Sequence, residues 1–210
     1  MSHLHSLSND QRSALLTGLG IICRVFWGPD PDQCRDLRQP DYLEPLASLP
    51  PPAPEYAGKL SEWINSFPDH RVLSDHLDET YVRLFIADKG GITAPLYQSC
   101  YEYDGAPMMG PPAMAMKKRL EASGLAVADQ LREPPDHLAV ELEYLYFLLE
   151  KGWEDGADPA LLDEATSFAS SVLNAWIPGF HDKLSREPES PFYPLVAALL
   201  CALVDTVAGE

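Results

Sequence analysis

The segment Glu133-Pro134-Pro135-Asp136-His137 sets two carboxylates and an imidazole on a corner stiffened by prolines. It runs directly into residues 138–149, where Leu138, Leu142, Leu145 and Leu149 recur at the spacing of one helical face. Glu141 follows His137 by one helical turn, on the same side. Three kinds of chemistry fit this pattern. In the first, Glu133, Asp136 and Glu141 form an anionic cluster that takes a guanidinium bidentately, at about 1.5–3 kcal/mol per charged hydrogen bond. His137 then adds a hydrogen bond or makes binding pH-sensitive. In the second, Asp136 is only the N-cap of the helix, the prolines preset the corner, and His137 faces water. In the third, Asp136 and His137 do general acid–base work, although the sequence places no nucleophile beside them. Residue types alone leave all three open.

Other residues could serve or merely fill the core. Leu77, Tyr81, Leu84 and Phe85 share one stripe of a helix expected over residues 74–87. Residues 92–112 hold many glycines, prolines and aromatics without periodicity. They are expected to form a long ordered loop, which is uncommon without a task. Its Pro95, Leu96, Tyr97, Ser99 and Tyr101 either cover the core or make a binding rim. Met108, Met109, Met114 and Met116 either pack inside or line a deformable apolar groove. Signatures of nucleotide, zinc-protease and serine-hydrolase chemistry are missing, and the six histidines have no ligand spacing. Gly90-Gly91 lacks the lysine motif that a phosphate loop needs. These observations favour a binding protein over an enzyme, with no cofactor or metal.

The elements that would position these residues are helices. Ser8 and Gln11 have capping-box spacing, and Ala14, Leu15, Leu19, Ile22 and Phe26 follow on one face. Broken helical pieces are expected at 33–38 and 41–46, and helices at 55–67, 113–123 and 136–151. A long helix is expected over 160–184, kinked at Pro178, and a closing one over 191–207. Residues 88–91 and about 125–135 read as loops. The apolar run 195–204 is about half of what spans a bilayer, so it reads as a buried helix. No alternating β pattern competes. The fold class is therefore all-α, as one domain over residues 1–210 with roughly ten helices.

The net charge of −17 argues against nucleic acid and anionic membranes and favours a basic partner. Cys23, Cys34, Cys100 and Cys201 form no C-x-x-C pair and read as reduced thiols. The first residues have no secretory pattern, so the cytoplasm is expected.

Taken in order, these segments resemble a known family. They are Tyr81-Val-Arg-Leu84-Phe85, Pro95-Leu-Tyr97-x-Ser99-x-Tyr101, Met109-Gly110-x-Pro112, Gly124-Leu125, Glu133-Pro134-x-Asp136-His137-Leu138, Trp176-Ile-Pro178 and Pro191-Phe192-Tyr193. The set, spread over roughly residues 8–207, resembles the TorD/DmsD family of cytoplasmic chaperones for molybdenum-containing oxidoreductases. The resemblance implies an all-helical domain that binds the twin-arginine signal peptide, or the apo form, of a catalytic subunit. It also implies that cofactor insertion is assisted and export delayed in anaerobic respiration. Carried over by position, Glu133, Pro134, Asp136 and His137 match the signal-peptide segment, with Glu141 behind them. Tyr81, Leu84, Phe85, Pro95, Tyr97 and Gly110 match the apolar part of the site. Leu96 stands where some members carry an aromatic, and Tyr81 where another aromatic is common. Rival expectations are a nucleotide-dependent chaperone or weak hydrolase, and a structural subunit of a larger complex. Monomer and domain-swapped dimer are both compatible with the proline-rich hinges.

Overall fold

Ser8 starts the first helix as its spacing predicts: its hydroxyl accepts from Gln11 N–H, and the Gln11 side chain accepts from Ser8 N–H. The computed structural model describes residues 3–86, 91–103, 105–125, 133–186 and 189–209, and these are all-α as expected. In chain order the α-helices are α1 (Asn9–Trp27), α2 (Pro31–Leu37), α3 (Ala53–Asn65), α4 (His70–Tyr81), α5 (Pro111–Ala122), α6 (Leu138–Gly152), α7 (Ala160–Phe168), α8 (Asn174–Leu184) and α9 (Phe192–Ala208). Short 3-10 turns lie at His3–Ser6, Glu44–Ser48 and Gln98–Tyr101. The expected breaker at 88–91 and loop at 125–135 fall largely on residues outside those described.

Two boundaries differ from expectation for local reasons. Helix α4 begins before residue 74 because the Asp69 carboxylate accepts from Arg71 N–H and Val72 N–H, at 2.8 and 3.1 Å. The long helix expected over 160–184 is interrupted at a π turn, Ala169–Leu173, upstream of Pro178. Proline has no N–H and crowds the carbonyl four residues before it, Asn174, so the loosened bonding lies just ahead of that contact. A second π turn, Val82–Ile86, extends α4 and carries the buried Leu84 and Phe85.

Helix α9 is apolar on nearly every side and packs against α1, α3, α7 and α8, so the 195–204 run is a core helix. Among the described residues no helix is long and apolar enough to cross a membrane. Helices α1 and α6 lie antiparallel: Trp27 meets His137 at one end, and Arg12 lies over Trp153 at the other. An aromatic layer joins α1 to the later helices. Phe26 meets Phe85 at 6.0 Å and Phe180 at 5.4 Å, both edge-on, and Phe85 meets Tyr193 edge-on at 5.1 Å.

Gly18 lets α1 approach this core. A Cβ there would stand 2.8 Å from Leu203 Cδ1 and 2.9 Å from Leu46 Cδ2, and both leucines are fully buried. Gly18→Ala should therefore destabilise the protein by about 1–2 kcal/mol in urea unfolding, although alanine is the better helix former by about 1 kcal/mol. A gain in stability would show that α1 can shift outward at no cost.

Candidate functional site

The loop after α4 is stitched to the start of α6. Leu138 N–H donates to Leu96 C=O at 2.8 Å, and Gln98 N–H donates to Asp136 C=O at 3.0 Å. This pairs Tyr97 with His137 in an isolated antiparallel bridge. Asp136 is fully buried behind that bridge. Its Oδ2 accepts from Ser99 N–H at 2.8 Å and from the Ser99 hydroxyl. The same hydroxyl oxygen accepts from Gly110 N–H at 2.9 Å. Asp136 thus pins both ends of the loop that carries Tyr97 and Gly110.

His137, not Asp136, caps α6, which corrects the reading of Asp136 as N-cap. The His137 Nδ1 accepts from Ala139 N–H at 3.2 Å. With Nδ1 accepting, the ring proton sits on Nε2, so the neutral ring has no nitrogen left to act as a base. The expectation that His137 faces water is also corrected. It stacks on Trp27 at 5.0 Å with the planes 14° apart, and Tyr97 meets it edge-on at 5.2 Å. Burial lowers its pKa to about 4, against the opposing pull of Glu133 and Asp136. A ring that stays neutral near pH 7 cannot supply the pH-sensitive binding expected of it.

The expected surface cluster of three carboxylates is likewise corrected. Glu141 is fully buried, and its Oε2 accepts from Trp176 Nε1–H at 3.0 Å. Burial pushes its pKa well above the ordinary range; the Trp176 bond opposes this, Asp136 adds to it, and Arg119 opposes it. Glu141 Oε1 and Asp136 Oδ1 are buried with no hydrogen-bond partner among the described residues. Of the three, only Glu133 reaches the surface. Its Oε2 accepts from the Tyr97 hydroxyl at 2.7 Å, and among the described residues its Oε1 has no ion pair or hydrogen bond.

Around Glu133 stands a rim of half-buried aromatics. The Tyr81 hydroxyl donates to Phe26 C=O at 3.1 Å. Burial first, and then the charge of Glu133, lifts the Tyr81 pKa to about 12. The Tyr97 phenol is raised further by burial and by its bond to Glu133. Trp27 Nε1–H donates to Glu143 Oε1 at 2.9 Å. Gly28 follows Trp27 at φ 122°, and its missing Cβ would lie against the Tyr81 ring at 3.7 Å. Pro134 and Pro95 are half-buried beside this rim in the chain, and Pro95 C=O accepts from the Tyr101 hydroxyl at 2.9 Å. Leu84 and Phe85 lie beneath, as core side chains. The methionines divide: Met116 is buried, whereas Met108, Met109 and Met114 are exposed. Trp27 is the site residue that the sequence did not single out. The geometry therefore brings Tyr81, Tyr97 and Glu133 together at a surface, with the buried His137 directly beneath, and sets Asp136, Glu141, Leu84 and Phe85 behind it. No grouping of three or more His, Cys, Asp or Glu side chains suited to a metal occurs among the described residues.

Residues 47–182, which include Tyr81, Tyr97, Glu133, Asp136, His137 and Glu141 but not Trp27, match the family described as nitrate reductase delta subunit. The chain belongs to that family. Its relatives include the chaperone protein TorD of Vibrio parahaemolyticus, 32% identical over 68% of this chain and 67% of that one. TorD of Vibrio cholerae is 30% identical over 69% of this chain and 66% of that one. The matched stretch thus spans about two thirds of these relatives. In fold, the chain is similar to a crystal structure described as a redox enzyme maturation protein from Archaeoglobus fulgidus, with a TM-score of 0.54. The identity there is 21%, over 95% of this chain and 96% of the other. The resemblance read from the ordered motifs is borne out, and the protein is a chaperone of the TorD type, not an enzyme.

Proposed function

We propose that this TorD-family protein is a cytoplasmic maturation chaperone for a molybdopterin-dependent oxidoreductase. It binds the twin-arginine leader, or the apo form, of the catalytic subunit, and holds it until the cofactor is inserted. The observation that carries this reading is Glu133 Oε1, which has no partner among the described residues, inside a rim of Trp27, Tyr81 and Tyr97 that rests on the buried His137. A guanidinium fits the carboxylate and lies flat on the aromatic faces, which an ammonium does less well. The apolar stretch that follows two arginines in such a leader then meets the aromatic edges. The net charge of −17 speeds encounter with a basic leader and disfavours acidic competitors.

The contact set differs from the one expected from sequence. Glu133, Tyr97, Tyr81 and Trp27 touch the leader, while Asp136 and Glu141 act from behind as positioning residues. Calorimetric titration with a synthetic leader bearing Arg-Arg before an apolar stretch tests this. Glu133→Gln should weaken binding about tenfold, which is about 1.4 kcal/mol, and so should a Lys-Lys leader. Trp27→Ala should weaken it by a similar factor through lost stacking. Parent-like affinity in both variants would overturn the placement of the leader here.

A further inference from the structure

Away from Glu133, a furrow opens along one face of α1 beside the 3-10 turn Glu44–Ser48. Ser13, Thr17 and Gly20 recur at three- and four-residue intervals, and with Leu16 they line a furrow of about 600 Å³ walled by Tyr42 and Tyr146. Through Ser13 and Asp41 the furrow continues into a second hollow of about 570 Å³, bordered by Asp10 and Glu44. From Asp10 to Ile21 the floor spans about 16 Å of helix axis, enough for three turns of a docked helix.

Two features indicate what belongs there. The first is Gly20. A glycine inside a helix forgoes about 1 kcal/mol relative to alanine. At Gly18 close packing accounts for it, but a Cβ at Gly20 would meet nothing within 4 Å. What the missing side chain preserves at residue 20 is open space on the furrow floor. The second feature is charge. Asp10, Asp41 and Glu44 are exposed and form no ion pair among the described residues. Two arginines of α1 are already engaged, and Arg24 also donates to the hydroxyl of Tyr42 at the furrow wall, at 3.4 Å. Arg24 faces Asp30 and Asp36, each at 3.6 Å, and Arg12 donates to His5 C=O at 2.9 Å while lying over Trp153.

We infer that this furrow seats a basic amphipathic helix of a partner protein, its apolar side chains over Gly20 and Leu16 between the two tyrosines. Its lysines or arginines reach Asp10, Asp41 and Glu44. The site is separate from the leader surface; it rests on the proposed role and adds the place and chemistry by which a basic helix of a partner would dock.

The test uses the full chain and a fluorescein-labelled, four-turn helical peptide of leucine and lysine with the leucines on one face. The parent protein should bind it with an affinity that falls with salt. Gly20→Leu should weaken binding at least about tenfold, with a Tm equal to or above the parent's, because leucine is the better helix former and has room. Asp41→Lys, on an exposed segment, should weaken it and flatten the salt dependence. Glu133→Gln should bind as the parent does. The proposal is overturned if Gly20→Leu binds like the parent, or if a lysine–serine peptide of equal charge binds as tightly. It is also overturned if Glu133→Gln weakens the peptide as much as Gly20→Leu does, since the peptide would then sit at the leader surface.

Discussion

Replacing Asp136 by alanine should cost about 3–4 kcal/mol of stability and release the loop that carries Tyr97 and Gly110. Two hydrogen bonds from Ser99 end on its carboxylate, and bonds to such a group contribute about 1.5–3 kcal/mol each. Removal also takes the acceptor from Ser99 N–H inside the protein, and a buried donor without its partner is costly. Ser99 in turn loses the geometry with which its oxygen accepts Gly110 N–H. Urea unfolding gives the energy, and amide hydrogen exchange at Ser99 and Gly110 shows whether the loss is local. Asp136→Asn keeps an acceptor for Ser99 and should be the milder change. Leader affinity should fall in Asp136→Ala together with loop protection, because the aspartate acts through Tyr97 and not by touching arginine. If Asp136→Ala kept its exchange protection while losing the leader, the buried pin would be the wrong explanation.

Glu141→Gln should make the protein more stable at pH 8, against the usual expectation for altering a buried site. The carboxyl of Glu141 is raised in the folded state above its ordinary 4.5, first of all by burial. A raised folded pKa means that the associated stability is complete below about 4.5 and declines as pH climbs toward the folded value. Glutamine keeps an acceptor for Trp176 and has no charge to suppress. The difference between variant and parent should therefore be small near pH 4 and grow with pH, reaching about 1–3 kcal/mol, the usual scale for a desolvated polar group. For a chain of this size that corresponds to a Tm increase of about 2–12 °C. Melting curves from pH 4 to pH 9 test the trend, and a parent-like pH profile would count against a neutral Glu141.

The helices were readable because their signals are local. The Ser8–Gln11 capping box and the leucine stripe of α6 each lie within a few residues, and the continuous apolar run of α9 leaves little choice but burial. The acidic corner was readable as residue types but not as orientation. Whether Asp136 caps, binds or turns inward depends on Ser99, 37 positions away, which no periodicity reports. Trp27 was missed for the same reason: it ends a helix like many others, and its meaning comes from stacking on His137 across the α1–α6 pair. The π turn at Ala169–Leu173 left no mark beyond Pro178, because a loosened bonding pattern answers to packing on both sides of the helix.

The position of α9 bears on how this chaperone itself comes to be made. It is the last of the described helices, and the faces of α1, α3, α7 and α8 close on it. Until residues 192–208 leave the ribosome, the earlier helices carry oily surfaces with nothing to cover them, a state prone to clumping. A member of a chaperone family thus passes through an unsheltered stage of its own, which lasts until translation delivers residues 192–208.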